Sequence, residues 1–164
     1  MSATELSASL RSLAEEAERR VAQLGSPNGV VGTVSGVGID AVDIERFGRV
    51  LARRPALAAR LFTPRELDYA RTAADPVPRL ANRFAAKEAA MKAFGVGLGA
   101  FSFADVEVVR TGLEGPTLIL HASAEALASR RGVSRLHLSL THTALVAMAV
   151  VVAEGVGNRS GGRE

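Results

Sequence analysis

Between Leu80 and Phe94 the chain reads as an alanine-rich helix with no broad polar face, and this one segment dictates what must surround it. On a helical wheel of about 100° per residue, Phe84, Met91 and Phe94 cluster on one side, with Lys87 among them. Glu88 and Lys92 flank that cluster, and Ala85, Ala86, Ala89, Ala90 and Ala93 fill most of the rest. Such a helix is buried nearly all round, so it belongs at the centre of a domain with its charges pointing at something internal. An unpaired buried charge costs several kcal/mol, so these three side chains need either structural partners or a lined site. The bland alternative is an i,i+4 surface pair between Glu88 and Lys92, worth about 0.3–0.5 kcal/mol.

Lys87 and Lys92 are the chain's two lysines among 20 basic residues; every other one is arginine. Arginine is a fixed fork that stays charged. Lysine is a compact charge on a flexible stem, suited to meeting a phosphate. With Glu88 between the two lysines, a carboxylate for a metal and an ammonium for a phosphate could stand side by side; Lys87, lying among the aromatic residues, reads as structural or supporting.

The remaining elements follow from pattern and punctuation. Residues 1–24 carry apolar residues at three- and four-residue steps and predict a helix, ended by Gly25-Ser26-Pro27-Asn28-Gly29. Val30 to Ile44 is strand-like, with Gly32, Gly36 and Gly38 marking bulges or a close approach of another backbone. A helical stretch with Arg46, Arg49, Arg53 and Arg54 follows. Thr63-Pro64-Arg65-Glu66 is a strong helix start, and Asp75-Pro76-Val77-Pro78 reads as the end of that helix. Gly95 offers a left-handed cap to the long helix. Beyond it come a strand at Ala104–Arg110, a turn at Gly112–Pro116, a strand at Thr117–His121 and a short helix at Ala122–Arg131. Two strands, Arg135–Thr141 and Leu145–Ala153, complete the pattern. The order of elements gives an α+β fold: a small, mainly antiparallel sheet packed with a long central helix. Three segments are expected: a helical extension with linker over 1–29, one domain over 30–154, and a glycine-rich disordered tail over 155–164.

Bulk properties narrow the function classes. The absence of cysteine excludes disulfides, cysteine-ligated zinc and thiol catalysis, and is compatible with the cytoplasm. No apolar run reaches 18 residues, so no membrane span is expected. A net charge of +3 favours acidic partners. Nucleic acid is weakly supported, because a single tyrosine, no tryptophan and dispersed arginines leave no stacking platform on a basic face. No Walker-type loop is present, and Gly95-Val96-Gly97-Leu98-Gly99 follows a helix, whereas a dinucleotide fingerprint precedes one.

Three positions carry the chemical reading. Asp40 drops an acid into an apolar strand directly after Gly38-Ile39. If that strand lies against the long helix, Asp40 and Glu88 become two carboxylates around one hard cation. Two carboxylates with waters and phosphate oxygens are how Mg²⁺ is usually held in phosphoryl-transfer sites. His142, at the bend between the last two strands, is either a turn residue or a donor to a phosphate. His121 and His137 read as ordinary surface or sheet residues.

Taken together, Gly36-Val37-Gly38-Ile39-Asp40 with Ile44-Glu45-Arg46, the block from Arg83-Phe84-Ala85-Ala86-Lys87-Glu88-Ala89 to Lys92-Ala93-Phe94-Gly95, and Ser139-Leu140-Thr141-His142-Thr143 resemble the holo-acyl-carrier-protein synthase family of 4′-phosphopantetheinyl transferases. The central block is the specific one. The resemblance implies transfer of phosphopantetheine from coenzyme A to a serine of an acidic apo-acyl carrier protein of fatty acid or polyketide synthesis, releasing 3′,5′-ADP. It implies that Asp40 and Glu88 hold Mg²⁺ against the coenzyme A pyrophosphate and that Lys92 neutralises charge on the leaving group. It gives Arg83, Gly95, Thr141 and His142 to the nucleotide and phosphate pocket, and Arg46 and Arg53 to carrier docking. A cytoplasmic homotrimer with active sites between subunits is also implied. For the serine's proton, Glu88 and a metal-bound water both remain candidates. Glu114 and Val96 depart from the family's usual residues, which raises a non-catalytic coenzyme A- or carrier-binding module as the alternative.

Overall fold

The computed structural model describes residues 32–110 and 115–156. The helix expected over 1–24, the break at Gly25–Gly29, most of the turn at Gly112–Pro116, and the tail beyond Val156 lie outside those residues. Element order is β1 (Gly32–Asp43), α1 (Ile44–Arg53), α2 (Ala56–Leu61), α3 (Pro64–Arg71) and α4 (Val77–Ala93). A short 3₁₀ turn (Phe103–Asp105) leads into β2 (Val106–Val109), β3 (Thr117–Leu120), α5 (Ala122–Arg130), β4 (Val133–His142) and β5 (Val146–Val156).

The strands form a three-stranded sheet ordered β1-β5-β4 and a separate β2–β3 pair. β4 and β5 pair antiparallel, with Leu138 opposite Val151 and His142 opposite Ala147. β1 runs antiparallel to β5: Thr33 Oγ1 donates to Gly155 O, Ser35 Oγ to Ala153 O, and Ile44 N to Leu145 O, partners that descend as β1 ascends. The expected α+β architecture is therefore what the chain adopts.

α4 is the spine. Ala85, Ala86, Ala89, Ala90, Met91 and Ala93 are buried against Ala149, Val151 and Ala153 of β5, and Leu127 and Ala128 of α5 extend the same core. A second core gathers Leu80 and Ala81 with Ile44, Phe47, Leu61, Phe62 and Ala70 from α1 to α3. Phe84 stacks between Phe47 and Phe103, with centroids 5.2 and 5.3 Å away. Alanine leaves no bulk to hold neighbours off, so both cores close directly onto the helix.

α3 begins as its sequence dictates. Thr63 Oγ1 accepts from Glu66 N, and Glu66 Oε2 accepts from Thr63 N at 2.9 Å, a complete capping box with Pro64 in the first turn. The same buried carboxylate accepts from Val108 N at 3.0 Å and from Lys87 Nζ at 2.8 Å. Lys87 is fully buried and also donates to the carbonyls of Phe103 and Val106. All three ammonium protons are thus used, and this lysine ties α4 to α3 and β2 as a structural group.

Some boundaries differ from the sequence expectation. Pro76 and Pro78 open α4 rather than close α3, because proline is tolerated in a helix's first turn, where no internal hydrogen bond is lost. The strand expected from Ala104 begins at Val106, after the 3₁₀ turn. α2 had no sequence signal: its N-cap makes no side-chain bond and it spans six residues. β5 continues through Gly155 and Val156, into what reads as tail.

Candidate active site

The site originates in two missing side chains. Gly36, Gly38 and Asp40 alternate onto the face of β1 that meets α4. A Cβ on Gly36 would sit 1.9 Å from Ala93 O, and one on Gly38 would sit 1.9 Å from Ala89 O. Strand and helix backbones are in direct contact there, so the next residue on the same face, Asp40, is delivered to the helix edge bearing Glu88 and Lys92. Lys92 Nζ donates to Asp40 Oδ1 at 2.8 Å and to Ile39 O at 2.9 Å. Asp40 is 10% exposed and Lys92 54%, so the pair bridges interior and solvent.

Glu88 is pushed up to about 7. Burial is the largest cause, followed by the charge of Asp40 and the hydrogen bond between the two carboxyls, with Lys92 partly opposing. Two carboxyl groups this close with one lysine carry an excess of negative charge and keep a proton to relieve it. Asp40 Oδ2 is buried and accepts from no N–H or hydroxyl donor among the described residues, which leaves the Glu88 carboxyl as its polar neighbour. The surplus charge and the donor-free oxygen both ask for a cation between Asp40 and Glu88. No group of three or more His, Cys, Asp or Glu forms a closed cage among the described residues. A hard cation here would take two carboxylates from the protein and fill its remaining positions with water and substrate oxygens, the habit of Mg²⁺.

Three clefts adjoin this pair. One of about 290 Å³ is lined by Asp40, Glu88, Met91, Lys92, Val96 and Leu98. Glu88 and Leu98 also border an apolar cleft of about 530 Å³, walled by Phe47, Val50, Leu57 and Phe84, with Arg46 among its lining residues. Lys92 also borders a third of about 570 Å³, lined by Ser35, Gly36, Gly95 and Arg131. Gly95 holds φ +63°, the left-handed cap its position implies.

The other sequence candidates sit elsewhere. Arg83 is buried on the first half of α4, its guanidinium 4.2 Å from the Tyr69 ring centroid, and donates to Arg79 O at 3.2 Å. Burial lowers its pKa from the usual value. Thr141 and His142 are exposed at the end of β4, and the His142 ring meets Asn82, also on the first half of α4. Arg53 is exposed in the last turn of α1 and lines none of the three clefts. The structure therefore unites Asp40, Glu88 and Lys92, puts Arg46 and Gly95 in clefts adjoining them, and leaves Arg83 and His142 at the other end of the helix. Asn82, Tyr69 and Arg131 escaped the sequence reading. Asn82 alone left a trace, as an uncharged amide in an otherwise apolar and charged helix.

Residues 36–149 match the family model described as the 4′-phosphopantetheinyl transferase superfamily. A holo-acyl-carrier-protein synthase of Clavibacter sepedonicus is 44% identical over 124 residues, covering 76% of this chain and 98% of that one. The crystal structure of the Neisseria meningitidis holo-acyl-carrier-protein synthase superposes with a TM-score of 0.69 at 36% identity, covering 74% of this chain and 99% of that one. The Helicobacter pylori synthase in complex with coenzyme A superposes with a TM-score of 0.64 at 30% identity, covering 71% and 98%.

Proposed function

The chain belongs to the 4′-phosphopantetheinyl transferase superfamily, and we propose that within it the protein is a holo-acyl-carrier-protein synthase. It moves the 4′-phosphopantetheine arm of coenzyme A onto a serine of apo-acyl carrier protein. The serine oxygen bonds to phosphorus, the pyrophosphate P–O bond breaks, the serine proton is released, and 3′,5′-ADP leaves. The observation that carries this reading is the meeting of Asp40, Glu88 and Lys92 at the Gly36/Gly38 contact.

Displacement at phosphorus needs positioning and charge stabilisation more than covalent help. Two adjoining carboxyls, one with an oxygen buried away from any N–H or hydroxyl donor among the described residues and the other raised by its neighbour's charge, are a donor set that suits a hard cation, so these residues fit Mg²⁺. When bound, that ion neutralises pyrophosphate charge. Lys92 commits two of its three protons to Ile39 and Asp40, which aims the third outward to a phosphate oxygen. The Asp40 contact thereby orients the ammonium that meets charge developing on the leaving group.

Arg83, Gly95, Thr141 and His142 serve the nucleotide and phosphate pocket in this reading. Arg83 and Lys92 are separated by roughly 14 Å along α4, which supports a site shared between copies of the chain in a homotrimer. The outward face of β1 supports it too, with Val37 60% and Ile39 53% exposed. Arg46 and Arg53 on α1 face an acidic carrier of fatty acid or polyketide synthesis, where long-range attraction speeds encounter. No described helix is long and apolar enough to cross a membrane, and the reading places the enzyme in the cytoplasm.

Intact-mass spectrometry tests the assignment. Incubation with coenzyme A, Mg²⁺ and apo-carrier protein adds one phosphopantetheine mass to the carrier. No gain with any of several carriers would overturn it. Glu88→Gln and Asp40→Asn each lower turnover by about 100-fold or more while the chain stays folded; full activity in either would remove the carboxylate pair from the mechanism.

A further inference from the structure

The bend after β4 is held firmly. Thr143 Oγ1 accepts from Leu145 N at 3.2 Å and Val146 N at 3.1 Å, Thr143 N donates to Val146 O at 2.9 Å, and Leu145 O takes Ile44 N at 2.9 Å. The backbone of His142 is therefore fixed, and what remains free is the ring: its rotation and the nitrogen that carries the proton. Asn82 closes both. Its amide lies 3.1 Å from His142 Nδ1, it is 9% exposed, and it sits in the second turn of α4 between buried Ala81 and Arg83. The amide nitrogen faces the ring, which leaves Asn82 Oδ1 without a partner among the described residues. The opposite orientation would bury an unpaired NH₂ group, the rarer and costlier defect. An NH₂ facing Nδ1 makes that nitrogen an acceptor, so in the neutral ring the proton must be on Nε2.

We propose that Asn82 is a positioning residue: it locks His142 in the Nε2–H tautomer, turned so that the ring presents a donor to an anionic group of the substrate. This rests on His142 serving the phosphate pocket, as read above. It adds a residue and a reason, because a histidine free to choose its tautomer would offer an acceptor part of the time and repel a phosphate oxygen.

Ring ¹⁵N NMR of the wild-type protein, above the pH range where histidine titrates, reads the tautomer directly. The Nε2–H form is expected, and an Nδ1–H form or an even mixture would overturn the proposal without any variant having to fold. Asn82→Ala is expected to give a mixed tautomer and raise KM for coenzyme A about tenfold, with kcat little changed. His142→Ala separates the two layers. If it leaves KM unchanged, the phosphate role of His142 fails. If it raises KM while Asn82→Ala does not, only the positioning role fails. Added to His142→Ala, Asn82→Ala should cost nothing more, since the two act through one ring. An additive effect would overturn the inference.

Discussion

At the scale of single residues, the centre depends on which charges lack neighbours. Glu88 is the clearest case. Its folded value of about 7 stands above the ordinary 4.5, so the folded chain keeps a proton that the unfolded chain loses. The contribution of Glu88 to stability is complete below about pH 4.5 and is lost as pH rises toward 7. Melting curves in EDTA followed by circular dichroism should show the midpoint falling between pH 5 and 7.5. Glu88→Gln should abolish that fall, and Mg²⁺ should offset it at pH 7.5; an unchanged slope in the variant would mean another group is responsible. Asp40, Glu88 and Lys92 were legible in the sequence for one physical reason, that a charge in an apolar context must be answered by something. Asn82 left only a faint trace, because a neutral amide is tolerated on a helix surface as readily as in its interior and its partner lies 60 residues away.

At the scale of elements, the β1–α4 contact decides whether the charged residues meet. Gly38→Ala forces a methyl group to 1.9 Å from a helix carbonyl that cannot rotate away. Strand and helix must part, at a cost of about 3 kcal/mol or a fall in melting temperature of roughly 10 °C, and Asp40 is drawn off Lys92 with them. Gly115→Ala, where an added Cβ meets nothing within 4 Å among the described residues, is the control and should leave stability and turnover intact. Equal behaviour of the two in paired melts and assays would show that the close approach is not what builds the site. Elements with strong local chemistry were readable beforehand: the capping box of α3, the left-handed glycine after α4, the valine-rich strands. α2 was not, since six residues without a capping side chain leave no signal above that of a loop. Pro76 and Pro78 misled because proline both ends and begins helices, and only the location of the next apolar face separates the two.

At the scale of the whole molecule, Asp40, Glu88 and Lys92 meet at one end of α4 while Arg83 and His142 lie at the other. If copies of the chain share sites as proposed above, a distinctive consequence follows. Glu88→Gln and His142→Ala chains, each impaired alone, should regain activity when unfolded together and refolded as a mixture, because some sites then draw both native residues from different copies. No recovery over a range of ratios, or sedimentation as a monomer at assay concentration, would place the complete site within one chain. None of this was legible from composition or periodicity, which describe a chain and say nothing of its copies. One further consequence concerns handling the protein. Of its two lysines, one is sealed against Glu66 in the interior and the other stands in the cleft with its side chain 54% exposed. Coupling chemistry aimed at lysine, elsewhere scattered over a protein's surface, therefore has a single side chain to reach here. A dye on that side chain, once the α-amino group is blocked, becomes a reporter of cleft occupancy, and a resin on it holds the protein by the same cleft.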